Sequence, residues 1–384
     1  MRLLVITSVF PSSRRPTKGT FNRALVAELR AAGDDVRVVS PIPWTDLFRM
    51  RVIARPEPAT TYQVWWYPPR LAHPTHHRWM SHSVLPAALR ATQSWQPDLV
   101  LGYWTHPDGT VALRIAKRLG VPGALLVGGS DIQLLTRNAA RRKVIVATLR
   151  AADRVFAVGA PLRDAVIALG VPPTRVSTFV QGVDRKRFHP RSPERARAHL
   201  GLPHDRPIVL WVGRMVPVKG LDILMRSWAE VARDPAHPLL LLIGDGEERG
   251  ALARVAAKLS DSIRLVGSIA NDALPDWYRA ADCVVLPSRS EGVPNVLVEG
   301  LACGTPYIAS AVGGVTTLND EESITVPPED VAALTAALLT RVRLPPMSRR
   351  SVAEVPSRQE TVAALREQFR AEIDSGDRTI EPVP

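Results

Sequence analysis

At 384 residues, 46% apolar and 22% charged, the chain is long enough for two domains and too apolar for wholesale disorder. Its net charge of +12 is uneven: residues 1–190 carry 27 Lys and Arg against 11 Asp and Glu, and the remainder carries 22 against 26. Two cysteines, Cys283 and Cys303, offer no disulfide framework and no metal cluster, and no run of eighteen apolar residues supplies a membrane span.

In chain order, RLLVIT (2–7) runs without an A-x-A-like cleavage site into a Pro/Arg loop. It reads as a first strand and not a signal peptide, and the expected location is cytoplasmic. A helix near 20–32 closed by Gly33 follows, then the strand 36–40. Segments 62–67 and 73–95 mix Trp65, Trp66, Trp79 and Trp95 with His76, His77, Arg78 and Arg90. Two readings stand for this mixture: an interfacial surface for anionic lipid, or buried packing residues. Strands at 98–104, 122–129, 154–160 and 175–182, with a helix over 109–118, complete the first half. Its basic balance suits an anionic surface or substrate, or simply solvated arginines. The arginines are dispersed and no nucleic-acid module is recognisable, so no nucleic acid partner is expected.

After the polar stretch 185–206, strands at 207–213, 238–246, 262–267 and 283–287 alternate with helices at 220–233, 247–259, 271–280 and from Asn295. Alternation of this kind implies parallel sheets covered by helices on both faces. The segment 341–357 reads as a linker. A last helix near 358–372 carries Val362, Leu365, Phe369 and Ile373 as an apolar stripe that must pack on something, as it would by crossing back over the cleft. The expected organisation is 1–190, 191–345 and 346–384: two doubly wound Rossmann-like domains facing across a cleft, then a linker and a crossing helix. Ligands in such sheets bind at the carboxyl ends of the strands.

Three segments at strand ends carry the chemistry. GDGEERG (244–250) has one residue too many for a dinucleotide fingerprint, and Gly244 and Gly246 more simply mark a turn close to a ligand. GRMVPVKG (213–220) offers Arg214 as a planar fork and Lys219 as a compact charge, a pair suited to a diphosphate. SRSEGVPNVLVEGLACGTP (288–306) places Glu291 and Gly292 before a helix start at Asn295, and Glu299 roughly 6 Å further along the helix axis. Free N–H groups at Val296 and Leu297 favour phosphate, and the two carboxylates favour hydroxyls on either side of it. A nucleotide-sugar donor, with ribose, diphosphate and hexose, has that order of groups.

These segments resemble retaining glycosyltransferases of family 4, which have the two-domain GT-B fold. The similarity covers most of the chain: the E-x7-E spacing from Glu291 to Glu299, ACGTP (302–306), GG (313–314), the GR…KG loop, FPSSRRPTKGTF with Gly19, YWTHPDG (103–109) and GSDI (129–132). The resemblance implies that Arg214 and Lys219 hold the donor diphosphate, with Glu299 on the ribose and Glu291 on the hexose. Backbone at Gly19, Gly213, Gly244, Gly246, Gly292, Asn295, Val296 and Leu297 would line the donor. His106, Ser130 and Asp131 would lie on the acceptor side. The chain departs from the family where its usual histidine before GSD is Gly128, where another is Tyr103, and where NGVD is QGVD (181–184). His106 is one candidate to replace the histidine missing at Gly128; a plain loop histidine is the other reading. The implied activity is hexosyl transfer to a glycan or lipid-linked acceptor in bacterial exopolysaccharide or cell-envelope assembly. No cofactor and no metal ion are expected, and an anionic membrane surface is a candidate partner. A nucleotide-sugar epimerase or hydrolase and a non-catalytic nucleotide-binding module are the alternatives.

Overall fold

The computed structural model describes residues 1–15, 18–48, 57–69, 71–259, 261–318, 320–344, 355–376, 378 and 381–384. The chain divides into two compact units, Met1–Val180 with Arg358–Pro384, and Gln181–Ser357. The boundaries drawn from sequence stood at 190 and 345; much of the expected linker, 345–354, lies outside the described residues.

Unit 1 is built on seven strands: β1 (Arg2–Ile6), β2 (Asp35–Pro43), β3 (Thr60–Trp65), β4 (Leu99–Tyr103), β5 (Gly123–Val127), β6 (Arg154–Val158) and β7 (Val176–Phe179). Their order is β3-β2-β1-β4-β5-β6-β7, every neighbouring pair parallel. The central strands are buried almost end to end, which is why they read as continuous apolar runs and not as alternating ones. Unit 2 carries β8 (Ile208–Val212), β9 (Leu239–Ile243), β10 (Ile263–Gly267), β11 (Cys283–Leu286), β12 (Tyr307–Ser310) and β13 (Ile324–Val326). Their order is β10-β9-β8-β11-β12-β13, again all parallel. Trp211, Trp228, Leu240 and Leu338 anchor its core, and the thiols of Cys283 and Cys303 are buried.

The tryptophans before residue 95 divide between buried and exposed positions. β3 pairs with β2 through Ser40↔Tyr62 and Pro43↔Trp65, so the strand's period of two buries Trp65 and turns Trp66 outward, 57% exposed. The helix His76–Thr92 buries Met80, Val84 and Ala88 on one stripe and leaves Trp79 exposed. Trp95 is buried, donates from Nε1 to Asp35 at 2.5 Å, and lies under the Arg37 guanidinium. This helix, and those at Ala139–Arg150, Ala160–Ala168, Pro193–Leu200 and Val331–Arg343, are additions to the sequence reading.

The last helix, Arg358–Ser375, does return to the first unit. Val362, Leu365 and Phe369 are buried as their spacing predicts, Phe369 edge-on to Phe156 at 5.3 Å. Ion pairs fix the helix further: Arg366 to Asp34 at 2.8 Å and Arg154 to Glu372 at 3.1 Å. Asp34 also takes the N-terminal ammonium at 3.0 Å, so one buried carboxylate ties the first and last elements of the unit. Truncating Phe369, which is fully buried, to Ala is expected to destabilise unit 1 by about 3–5 kcal/mol in a urea titration. A loss under about 1 kcal/mol would show that the helix is not part of that core.

Candidate functional site

In unit 2 the strand order reverses between β8 and β11, the place where a doubly wound sheet opens to ligands. The loops that follow these strands, 213–220 and 287–294, are joined by backbone. Arg289 N donates to Val218 O at 2.8 Å, while Gly314 N, after β12, donates to Gly292 O at 2.6 Å and ties the β12 loop to the second of them. Gly220, at φ 66°, starts the helix Leu221–Val231, and a Cβ there would overlap the carbonyl of Pro287. Gly313, at φ 55°, meets the carbonyl of Glu291 in the same way. Gly244 and Gly246 let the β9 loop close on the carbonyls of Gly213 and Met215, so the glycines of GDGEERG serve loop against loop contact. The Arg289 guanidinium adds a clamp, with two bonds of 2.9 Å to Asp222 and one of 2.7 Å to Glu329.

Inside this frame Lys219 and Glu291 meet. Lys219 Nζ donates to Glu291 Oε1 at 2.6 Å, and Ser288 Oγ donates to the same oxygen at 2.6 Å. The Glu291 side chain is only 9% exposed and that of Lys219 21%, so water screens the pair little. The sequence reading had assigned these two residues to different parts of a ligand; the fold makes them one ion pair. Arg214 is exposed and its side chain has no partner among the described residues. At the start of the helix Asn295–Ala302, Leu297 N already donates to Pro294 O at 3.0 Å. The N–H groups of Asn295 and Val296 have no backbone acceptor among the described residues, which leaves them as the open donors of this helix end.

Glu299 stands one turn into that helix. Its Oε1 accepts from Asn271 Nδ2 at 3.1 Å and its Oε2 from the Tyr278 hydroxyl at 2.8 Å. Tyr278 is fully buried, and burial first and the carboxylate second raise its pKa well above the usual range, so it stays a donor. Neither Asn271 nor Tyr278 was read from sequence. Tyr278 lies on a short helix 21 residues before Glu299, and no spacing rule connects them.

In unit 1 the order reverses between β1 and β4. Two fully buried carboxylates tie the loops there. Asp108 accepts from Ser8 N and from Ser8 Oγ, the latter at 3.1 Å, and burial pushes its pKa up to about 6. Asp131 accepts from Thr105 N at 3.1 Å, Thr105 Oγ1 at 3.0 Å, Gly128 N at 3.2 Å and Gly129 N at 2.9 Å. Asp131 therefore holds the β4 and β5 loops together from inside and does not present its oxygens to solvent. Ser130 begins the helix Ser130–Gln133 and is partly exposed. Gly19, at φ 67°, caps the helix Thr20–Ala31 where a Cβ would overlap the Val9 carbonyl, a group already bonded by Asn22 Nδ2 at 2.7 Å.

His106 is buried, its Nε2 3.3 Å from His77 Nδ1. Burial, reinforced by Arg114 and Arg78 around His77 and by His77, His76 and Arg141 around His106, lowers the two pKa values to about 4 and about 3. Both rings are neutral near pH 7. The space beside Gly128 is taken by a different group: a Cβ on Gly128 would lie 2.8 Å from the Tyr103 hydroxyl.

Residues 206–343 match the family of glycosyl transferases group 1, and residues 19–182 match the glycosyl transferase 4-like domain. The chain is 29% identical over 353 residues to a protein of Bacillus subtilis named for teichuronic acid biosynthesis, TuaC, covering 88% of each. It is 42% identical over 235 residues to D-inositol 3-phosphate glycosyltransferase 1 of Catenulispora acidiphila, 58% of this chain and 56% of that one. It thus spans little more than half the length of that relative. Sucrose-phosphate synthase from Thermosynechococcus elongatus has the same fold at a TM-score of 0.79 and 24% identity, with 97% and 99% of the two chains covered. HepE from Anabaena, in complex with UDP-glucose, has it at 0.65 and 18%, with 98% and 97% covered. Two doubly wound parallel sheets and these matches define a glycosyltransferase of the GT-B class. The chain belongs to the group 1 glycosyltransferases, family 4-like.

The neutral histidine pair makes a prediction about acid stability. Each ring has a folded pKa below its unfolded value of about 6.5, so its contribution is fully present above that pH and is lost as pH falls towards about 4. His77→Gln removes one of these groups. Calorimetry should show wild type losing more Tm than His77→Gln between about pH 7.5 and about pH 5. Parallel losses in the two proteins would contradict the assignment.

Proposed function

We propose that the enzyme transfers a hexosyl group from a nucleoside-diphosphate sugar to a hydroxyl of a glycan or lipid-linked acceptor, with retention at the anomeric carbon. The observation that carries this reading is the junction of the β8 and β11 loops. There Lys219 is held on Glu291, Arg214 shares its loop, and the β11 loop leads into the open N–H groups of Asn295 and Val296. The bond from the anomeric carbon to the diphosphate oxygen breaks, and its electron pair leaves with the diphosphate. Fixed cations and N–H dipoles aimed at that developing charge lower the barrier without reorganising. An ammonium has three donors, so Lys219 keeps two for phosphate oxygens while the third holds Glu291. The acceptor oxygen bonds to the same face of the sugar, and its proton passes to a phosphate oxygen of the leaving group.

Glu299, fixed in place by Asn271 and Tyr278, would accept from the ribose hydroxyls. Glu291 keeps Oε2 for the hexose. Gly213, Gly244, Gly246 and Gly292 bring the backbone of unit 2 close to the donor. HepE, of the same fold, binds UDP-glucose, which supports the donor class. Protein cations take the place a divalent metal has in other transferases, so catalysis here is metal-independent. Lys219→Ala is expected to lower turnover by ~10²-fold or more at saturating donor. In the same assay a chelator should leave wild-type turnover unchanged. Near-wild-type turnover of Lys219→Ala would remove the assignment, and donor consumption that no acceptor accelerates would favour a hydrolase or epimerase.

For the acceptor, the basic unit 1 exposes an aromatic group. Trp44 stacks on Trp66 at 5.2 Å, Phe48 is 81% exposed, and Leu71 and Trp79 are open as well. Amphipathic rings beside basic residues suit the headgroup level of an anionic membrane. The acceptor would then be a lipid-linked or polyanionic glycan in exopolysaccharide or cell-envelope assembly, reached by peripheral attachment at the inner face. The relative named for teichuronic acid biosynthesis supports that class. No helix among the described residues is long and apolar enough to cross a membrane. The protein should float with anionic liposomes at low salt, and Trp66→Ala with Phe48→Ala should weaken this; no flotation of wild type would remove the membrane part.

A further inference from the structure

β4 and β5 are adjacent and parallel, with Tyr103↔Leu126 in register, so Tyr103 closes one strand and Gly128 follows the next at the carboxyl edge of the unit 1 sheet. Tyr103 is 8% exposed. Among the described residues its hydroxyl has no hydrogen-bond partner. The ring is held by Phe21 at 5.3 Å and by Trp104, itself at φ 84°, a region costly for a bulky residue. Strain of this kind is kept where surrounding structure over-determines it, commonly at ligand sites. A buried phenol normally finds a partner, and Phe would pack equally well without an unmet hydroxyl.

Gly128 completes the arrangement. A Cβ there would stand 2.8 Å from the Tyr103 hydroxyl, closer than real Cβ atoms come, while the next neighbours, Trp104 and the Tyr103 ring, are at 3.5 Å. The backbone of Gly128 does not need glycine's positive φ. What needs glycine is the Tyr103 oxygen. Resting on the glycosyl-transfer reading above, we infer that Tyr103 is a substrate-binding residue whose hydroxyl hydrogen-bonds a sugar hydroxyl at the β4–β5 edge, and that Gly128 is specific to that role. The sequence's two departures at 103 and 128 are then one exchange, with the polar group supplied from the neighbouring strand.

A double-mutant cycle tests this with the full chain. Wild type, Tyr103→Phe, Gly128→Ala and the double variant are assayed with UDP-, GDP- and ADP-hexoses. Methyl glycosides and water serve as alternative acceptors. Tyr103→Phe should lower kcat/KM roughly tenfold, the worth of one hydrogen bond, with Tm unchanged. Gly128→Ala should cost a similar factor in wild type and almost nothing in the Tyr103→Phe background, where the clash is gone. A loss seen with both acceptors places the hydroxyl on the donor sugar, and a loss only with glycosides places it on the acceptor; either supports the inference. Tyr103→Phe within about twofold of wild type, or losses that multiply in the double variant, would overturn it. Absence of wild-type turnover on every donor would remove the glycosyl-transfer reading and this inference with it.

Discussion

A parallel sheet leaves its carboxyl-edge loops without ladder partners, and here they are held by carboxylates placed between strands. Asp131 gathers donors from the β4 and β5 loops, Asp108 joins the β4 loop to Ser8 after β1, and Glu291 joins the β11 loop to Lys219 after β8. Each acceptor is buried or nearly so, where hydrogen bonds are electrostatically stronger and a lost partner is more costly. The same device therefore rigidifies both switch points. In unit 1 the oxygens are fully occupied by the fold. In unit 2 the tie includes a cation that still has donors to offer, and that difference separates a scaffold carboxylate from one that can take part in ligand chemistry.

Glycine supports these ties by allowing contact, more than by allowing flexibility. Gly220 admits the carbonyl of Pro287, which brings the cationic loop against the loop bearing Glu291, and Gly313 admits the carbonyl of Glu291, which brings the β12 loop against it. Gly128 admits a side-chain hydroxyl in place of a carbonyl. A Cβ at any of these three positions would push apart the groups whose spacing matters. Hydrogen bonds between such groups hold only over a narrow range of about 2.7–3.2 Å.

Much of the candidate site in unit 2 was legible because it is local in sequence. Arg214 and Lys219 share one loop, and Glu291, Asn295 and Glu299 share one loop and helix, so strand–loop–helix order suffices to group them. Asn271 and Tyr278 were not legible, since they reach Glu299 only through the packing of the helix Leu274–Ala280 beside Asn295–Ala302. On the other side, Asp131 read as a ligand contact because a short polar loop looks the same whether its carboxylate points out or in. The tryptophans before residue 95 divide for an equally tertiary reason: Trp65, paired on β2 at the end of β3, is buried, and Trp66, just past the strand, is exposed.

By itself the sequence determined the two-unit parallel α/β architecture, the apolar stripe of the last helix and the cationic residues of the 213–220 loop, because periodicity and strand-end motifs are short-range properties. Only the tertiary structure decided which polar groups pair with one another and which stay open. Lys219 on Glu291, Tyr278 on Glu299, and Tyr103 beside Gly128 are contacts between segments far apart in the chain or on different strands. They depend on sheet order and loop packing, which no spacing along the chain encodes.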